Sequence, residues 1–298
     1  MSYRVGNAPV SWGVETGDDP RNPAWQKVLD ETVAAGYRGT ELGPLGYMPI
    51  DEALLRDQLN QRDLDLTAAV LFQPFHDKSA RQPVLDNART TAALISALGA
   101  KQLVLIDRVS DARSVTAGRE AEARPLDDAD WNAMVETIRQ ICTLARDEFG
   151  LTTSIHAHAA CYIEFESELE RLLADIEPGL LSLCVDTGHS HYAGYDPIAL
   201  TRRYGSRVSY VHVKDLDHEV HPHVIANKVS FYDACAQNVF CPLGQGAVDF
   251  AAFKDVLAEI GFEGWLTVEQ DCDPEGDTSP LADAKSSLTF LKSSALAA

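Results

Sequence analysis

The sequence predicts an α/β protein folded as a single (β/α)8 barrel, a TIM barrel, over residues 1–298. Eight short apolar or β-branched segments recur along the chain, as expected of strands buried on both faces of a parallel sheet. Segments with a helical spacing of apolar residues lie between them, and a length of 298 residues suits one such barrel. Alternation of this kind favours a closed barrel over an open sheet.

The strands are predicted in chain order from their apolar content. We expect them at residues 3–10, 38–43, 64–72, 101–107, 151–158, 180–186, 208–215 and 264–271.

The helices are predicted from apolar periodicity and from the residues that end them. Between residues 23 and 36, Trp25, Val28, Leu29 and Val33 share one face, and Gly36 follows as an expected C-cap. Similar patterns predict helices near 168–176 and 250–261, the second capped by Asp249, and a last helix within 281–298.

One connection is unusually long. Residues 216–247 follow the seventh predicted strand and lack a helical repeat of ordinary length. Long loops after barrel strands lie at the catalytic end and often form lids, and we expect residues 73–80 at the same end. The histidines of the long connection are expected to face solvent or substrate rather than a metal, and its glycines are weak evidence for phosphate binding: His218, His221, His223, Gly244 and Gly246.

Composition limits the classes of partner. The net charge is −20, which opposes binding to a nucleic-acid backbone and favours a neutral or cationic ligand, although the acidity also serves solubility. No apolar run approaches the ~20 residues of a membrane span, and the start "MSYRVGN" is unlike a signal peptide, so we expect a cytoplasmic protein. The six cysteines form no CxxC pair and are expected to be reduced.

Polar residues cluster where the predicted strands end, and those ends build the active site of a barrel. Burying so many ionisable groups is costly unless they are paired or bind an ion. The residues expected there are Asn7, Trp12, Glu41, Asp107, Arg108, His156, His158, Asp186, His189, His212, Lys214, Asp215, Glu269, Gln270 and Asp271.

The last four predicted strands supply a candidate metal site. His156, Asp186, His212 and Glu269 would meet in one bowl, and mixed imidazole and carboxylate ligands suit Mn²⁺, Co²⁺, Zn²⁺ or Fe²⁺ better than Ca²⁺. We expect Mn²⁺ or Co²⁺ first, with Mg²⁺ also allowed. Alternate residues of a strand share a face, so His158 is an alternative ligand. Taken singly, Asp186 could be a helix cap, His212 a core histidine and Glu269 the partner of an arginine.

Several stretches resemble one superfamily. "CVDTGHSHYAGYDP", "YVHVKD", "GQGAVDF" and "GWLTVEQDCDP" resemble the xylose-isomerase-like barrels, which include sugar isomerases, ketose 3-epimerases and inosose dehydratases. "NAPVSWG", "GYRGTELGPLGYMP" and "FYDACAQNVFCPLGQGAVDF" resemble the inosose dehydratase branch in particular. The resemblance spans nearly the whole chain.

The resemblance implies a divalent ion held by Glu, Asp, His and Glu from the last four strands. Asp186, His212 and Glu269 match, but His156 stands where a sugar epimerase has glutamate. With one such glutamate, removal of a proton and of hydroxide is more natural than proton exchange between two glutamates. The implied function is a metal-dependent lyase that dehydrates a cyclic polyol ketone in inositol catabolism. The alternative is an isomerase or epimerase acting through a metal-stabilised enediolate.

The roles of the remaining residues follow from this function. The acid and base candidates, without an order, are Glu269, His189, His158 and Lys214, and a lowered pKa is expected for a lysine near a cation. Asn7, Trp12, Glu41 and Arg108 are expected to bind a small polyol or ketose, and the long loop could contact another copy in a homo-oligomer. A DNA-repair endonuclease is disfavoured by the charge, and a non-catalytic sugar-binding barrel is the remaining alternative.

Overall fold

The computed structural model describes residues 2–273, 275–276 and 278–297, and within them nine parallel strands form a nearly closed barrel. The strands are β1 (Arg4–Asn7), β2 (Gly39–Thr40), β3 (Asp65–Leu66), β4 (Ala68–Gln73), β5 (Gln102–Asp107), β6 (Thr152–His156), β7 (Ser182–Asp186), β8 (Val208–Val213) and β11 (Trp265–Val268), and the short β9 (Asp215–Leu216) and β10 (Phe240–Cys241) pair antiparallel outside the barrel. Neighbouring strands of the barrel follow the order β3-β2-β1-β11-β8-β7-β6-β5-β4, which confirms the predicted fold class.

The third predicted strand is divided in two, which is how the ring closes. β3 pairs with β2 and β4 pairs with β5, and Thr67 lies between them. The amide of Leu42 donates to the carbonyl of Ala68 (3.0 Å), so hydrogen bonding continues past the division. The first predicted strand is also shorter than expected, because a 3-10 helix, Pro9–Trp12, begins directly after β1.

Helices lie between the strands along the chain. They are α1 (Trp25–Ala35), α2 (Glu52–Asn60), α3 (Arg81–Ala97), α4 (Asp111–Ser114), α5 (Asp128–Phe149), α6 (Glu166–Asp175), α7 (Thr187–Tyr192), α8 (Pro197–Arg203), α9 (Val220–Ala226), α10 (Phe231–Ala236), α11 (Phe250–Glu259) and α12 (Pro280–Ser293). As expected, α1 buries Val28 and Leu29, and Gly36 ends it with a φ of 102°. None of these described helices is long and apolar enough to cross a membrane.

Hydroxyl groups close the barrel interior below the candidate site. The Tyr210 hydroxyl is hydrogen-bonded to Oγ1 of Thr67 (2.8 Å) and Oγ1 of Thr267 (2.5 Å). Gly39 permits this packing, because a Cβ there would lie 2.6 Å from the Thr67 methyl group. The polar chemistry is therefore confined to the space above Tyr210, at the carboxyl ends of the strands.

The long connection contains short structured elements rather than an ordinary helix. α9 and α10 have seven and six residues, and β9 pairs with β10. The buried Asp215 carboxylate accepts hydrogen bonds from the amides of Leu216, Gly244, Gly246 and Val248, at 2.9–3.0 Å. These amides already donate to the Asp215 carboxylate. The amides of Gly244 and Gly246 therefore bind Asp215 rather than a phosphate.

Replacing Asp215 with asparagine should lower the free energy of unfolding by about 2–4 kcal/mol, because the new NH₂ group would face two buried N–H groups that lose their acceptor. Urea unfolding of the metal-free protein measures this. Asp249→Asn is the control, because Asp249 caps α11 through the amide of Ala252 (2.9 Å) and asparagine caps equally well. Equal losses in both variants would contradict the prediction.

Candidate metal centre and active site

Four buried side chains converge above Tyr210: His156 from β6, Asp186 from β7, His212 from β8, and Glu269 directly after β11. One nitrogen or oxygen atom from each lies within 4.8 Å of the others. The strand register produces this meeting, because Asp186 and His212 are paired neighbours and Glu269 lies two residues beyond the partner of His212. The structure brings together the four predicted ligands.

The nitrogen atoms of this cluster fit a metal ion. Nδ1 of His156 and Nδ1 of His212 are buried and lack a hydrogen-bond partner among the described residues. His212 Nδ1 lies 3.2 Å from Oε2 of Glu269 without a hydrogen-bonding angle. Buried polar atoms without partners are rare, and two imidazoles with two carboxylates form a donor set for a divalent transition metal. The residues therefore fit the group that the sequence predicts.

Charge states of three of the four side chains also suit metal binding. Burial lowers the pKa of His156 to about 4, so its imidazole is neutral near pH 7. Burial alone would raise the pKa of both carboxyls. The Lys214 ammonium and nearby histidines outweigh it, holding the pKa of Asp186 well below its ordinary value and that of Glu269 at about 2. Both carboxylates are ionised.

Asp186 has two roles that the sequence left as alternatives. Its Oδ1 accepts a hydrogen bond from the amide of His189 (2.7 Å) and so caps α7. Its Oδ2 lies 3.2 Å from Nε2 of His156. The cap fixes the carboxylate and leaves its second oxygen for the cluster.

Lys214 occupies the centre of a second group beside the first. Its Nζ lies 2.7 Å from Asp271, 3.2 Å from Glu269, 3.7 Å from Asp186 and 2.7 Å from Nε2 of His189. Burial opposes its charge, but the three carboxylates raise the pKa of Lys214 above its ordinary value. The side chain is therefore a buried ammonium, and the lowered pKa expected for a lysine near a cation stays a prediction.

The motifs D-T-G-H (residues 186–189) and H-V-K-D (residues 212–215) pack against each other around Lys214. Thr187 Oγ1 donates to the Lys214 carbonyl (2.7 Å) and accepts from the Lys214 amide (2.9 Å). A Cβ at Gly188 would lie 2.6 Å from Cγ of Lys214. Glycine is needed at position 188 because the lysine stem passes directly over it.

His158 is held as a neutral base. Its Nδ1 donates to the carbonyl of Ala159 (2.7 Å), which leaves the lone pair on Nε2. Burial lowers the pKa of His158 well below its ordinary value. The ring lies against His189, with centroids 3.8 Å apart, and Nε2 lies 3.9 Å from Oδ2 of Asp271.

A cavity of about 420 Å³ opens over these groups, a size suited to a small molecule. One part of its wall is apolar and another is acidic. The lining includes Val70, Phe72, Ile106 and Phe231 on the apolar part, and Glu15, Glu41, Arg108, His158, Tyr232, Glu269 and Asp271 on the polar part.

The long connection covers part of this cavity, as expected. The Tyr232 hydroxyl, from α10, donates to Oε1 of Glu15 (2.5 Å), and both residues line the cavity. The amide of Phe231 donates to Oγ of Ser114 (3.2 Å). The three histidines of the long connection lie outside the cavity lining: His218 and His223 are exposed, and His221 contacts the carbonyl of Tyr192.

Other predicted site residues lie elsewhere. The Trp12 indole donates to Glu31 of α1 (2.7 Å) and is not part of the cavity lining. Asn7 is buried and also outside the lining. Its neighbour Gly6 pairs with Thr267, whose side chain faces the barrel interior. Because successive strand residues alternate in direction, Asn7 faces away from the interior. Asp107 accepts from the amides of Phe75 and Tyr162 and joins two loops.

Some lining residues were not among the candidates. Glu15, Phe231 and Tyr232 belong to loops or short helices, where no periodic pattern marks the side chains that face a cavity. Val70 and Phe72 alternate along β4, so period-two reading of that strand could have found them.

A family model described as xylose isomerase-like TIM barrel matches residues 29–294. The chain belongs to this family. This match confirms the family that the D-T-G-H and H-V-K-D motifs indicated in the sequence.

Relatives within the family match almost the entire chain. The inosose dehydratase of Geobacillus kaustophilus (strain HTA426) is 31% identical over 280 residues, covering 91% of this chain and 88% of the relative. The inosose dehydratase of Serratia proteamaculans (strain 568) is 27% identical over 280 residues, covering 92% and 91%. The chain is accordingly an enzyme of this family.

Solved structures share the fold. A D-allulose 3-epimerase from Methylomonas sp. in complex with D-allulose has a TM-score of 0.73 at 19% identity and covers 98% of this chain and 97% of its own. The IOLI protein with a bound zinc atom has a TM-score of 0.72 at 14% identity and covers 98% of each chain.

Tyr232→Phe should loosen the cover of the cavity. Loss of a hydrogen bond to a carboxylate, at ~1.4 kcal/mol, should increase proteolytic cleavage within residues 216–247 about tenfold, because cleavage follows the open population. Limited proteolysis with mass spectrometry measures the rate.

Tyr204→Phe is the matched control, since the Tyr204 hydroxyl meets Glu170 of α6 at 3.5 Å, on the outside of the barrel. If both variants are cut at the wild-type rate, the Tyr232 hydroxyl does not hold this segment.

Proposed function

We propose that this enzyme is a metal-dependent hydro-lyase that removes water from a cyclic polyol ketone, as an inosose dehydratase does. The supporting observation is that a neutral His158 lines the same cavity as Glu269, which is one member of the cluster of His156, Asp186, His212 and Glu269. Curated relatives named inosose dehydratase cover about nine tenths of the chain, in line with this reaction.

His156, Asp186, His212 and Glu269 would hold the ion. Mn²⁺ or Co²⁺ is the ion we propose first, and Zn²⁺, Fe²⁺ and Mg²⁺ are the alternatives. When bound there, a divalent ion would withdraw electrons from a ketone oxygen and so make the adjacent C–H more acidic.

His158 is the proposed base. Its Nε2 has a lone pair because Nδ1 donates to Ala159, and the side chain lines the cavity. It would remove the proton on the carbon next to the carbonyl. Stacking on His189 fixes the plane of the ring, so the lone pair keeps its direction.

Lys214 and Asp271 are the proposed source of the second proton. Lys214 is surrounded by carboxylates that hold its proton, and Asp271, 2.7 Å away, lines the cavity. Delivery of this proton to the departing β-hydroxyl would release water and leave the double bond in the product. His189 lies against the pair, with Nε2 2.7 Å from Nζ of Lys214 and 3.1 Å from Oδ2 of Asp271, and its Nδ1 accepts from the amide of Ala159 (3.2 Å).

An uncharged substrate fits the lining best. The cavity wall contains Glu15, Glu41, Glu269 and Asp271, which would repel a phosphorylated sugar. The apolar part of the wall suits the C–H face of a ring, and Arg108 at the rim can donate hydrogen bonds to hydroxyl groups.

The decisive experiment incubates the metal-loaded protein with inososes and ketoses in D₂O. Our expectation is loss of water from an inosose, followed as the dione or enone product. Deuterium at an inverted carbon without loss of water would instead support the isomerase or epimerase alternative. Unchanged substrates with every ion would overturn both.

Two substitutions separate the proposed base from the proposed ligands. His158→Gln should lower kcat by about 10²–10⁴-fold and keep the bound ion, since a general base contributes that factor. Asp186→Asn should lose both ion and activity. Stopped assays and metal analysis measure these quantities.

The control is His191→Gln, because His191 lies outside the cavity lining and should retain wild-type kcat and metal content. Loss of the ion from His158→Gln would make His158 the ligand from the β6 segment and remove it as the base.

A further inference from the structure

Glu41 makes a single, well-placed contact with the candidate metal centre. Its Oε1 lies 2.9 Å from Nε2 of His212, and both side chains are almost fully buried. We propose that Glu41 is a positioning residue that orients His212 for the ion, an inference that rests on the proposed metal-dependent function. The sequence had predicted Glu41 to bind substrate.

The contact selects one form of the imidazole. A carboxylate only accepts, so Nε2 of His212 must donate and carry its proton. The lone pair of a neutral His212 is then on Nδ1, which is buried without a hydrogen-bond partner among the described residues. Nδ1 is also the atom that lies 3.2 Å from Glu269 and 4.0 Å from Asp186. The free lone pair therefore faces the other proposed ligands.

The fold fixes the carboxylate from across the barrel. Glu41 follows β2 directly, and β1 and β11 separate β2 from β8 in the sheet. The side chain thus crosses the interior instead of meeting a neighbouring strand. The amide of Leu42, the next residue, donates to the carbonyl of Ala68, and Gly43 has a φ of 71°, so the backbone around Glu41 is tied to β4 and turns immediately.

A carboxylate behind a metal-binding histidine fixes the ring and increases its basicity. Truncation of such a partner typically weakens metal binding about 10–100-fold. Without Glu41, the His212 ring could rotate or adopt the other tautomer, and its lone pair would no longer be confined to the cluster.

The test measures metal affinity, with no substrate present. Metal-free wild type, Glu41→Gln and Glu41→Ala are titrated with Mn²⁺, Co²⁺ and Zn²⁺ in competition with a chromophoric chelator. We expect about 100-fold weaker binding for Glu41→Ala and about 10-fold for Glu41→Gln, because the glutamine oxygen still accepts from Nε2. This partial rescue is not expected of a residue that only fills space.

Asp107→Asn is the matched control: Asp107 is also a buried carboxylate at a strand end, but its contacts are backbone amides and His76. It should destabilise the protein and keep wild-type metal affinity. If Glu41→Ala does not fold, the expected loss in Glu41→Gln decides the question.

Wild-type metal affinity in both Glu41 variants, with a raised KM for the ketone, would overturn the proposal and return Glu41 to substrate binding. Failure of the wild-type protein itself to bind any of the three ions would instead overturn the proposed function.

Discussion

The ammonium of Lys214 among three buried carboxylates is the interaction on which the site depends. Asp186, Glu269 and Asp271 come from two strand ends and could not remain ionised side by side in a low-dielectric interior without a compensating charge. The Lys214 side chain fits at this position because Gly188 has no side chain, and hydrogen bonds from Thr187 hold the Lys214 backbone. The two sequence motifs are therefore one structural unit.

Carboxylates at the strand ends serve two purposes, and their hydrogen-bond donors distinguish them. Asp107 and Asp215 accept mainly from backbone amides, and so they hold loops in place around the cavity. Glu41 and Glu269 face histidine or lysine side chains. Asp186 does both, since one oxygen caps α7 and the other lies in the cluster. Loop placement and chemistry thus use the same residue type at the same end of the barrel.

The sequence predicted the barrel and the four-residue cluster because both follow from repetition. Eight apolar segments were visible, and the rule that strand ends meet needs only their order. The division of residues 64–72 was not visible, because the break at Thr67 has no glycine or proline. Trp12 and Asn7 were predicted at the site only because they lie near the end of the first strand. Nearness to a strand end does not determine whether a side chain faces the cavity or the helices. The partners of Glu15 and Tyr232 depend on tertiary packing of a long connection.

Charge balance links the lysine to the proposed ion. Three carboxylates surround Lys214, which neutralises one of their charges, so two negative charges remain, and Oε2 of Glu269 lies 3.2 Å from the unpartnered Nδ1 of His212. Glu41 adds a negative charge beside His212, whose pKa is raised above its ordinary value: burial opposes its charge, but Cys184, Glu269 and Glu41 favour it. A bound ion would take the place of that His212 proton. A divalent cation would therefore offset more of the negative charge around the cluster than a monovalent one. His158 is neutral at rest, so its Nε2 can accept a proton from the substrate, and the Asp271 carboxylate favours the imidazolium that would form.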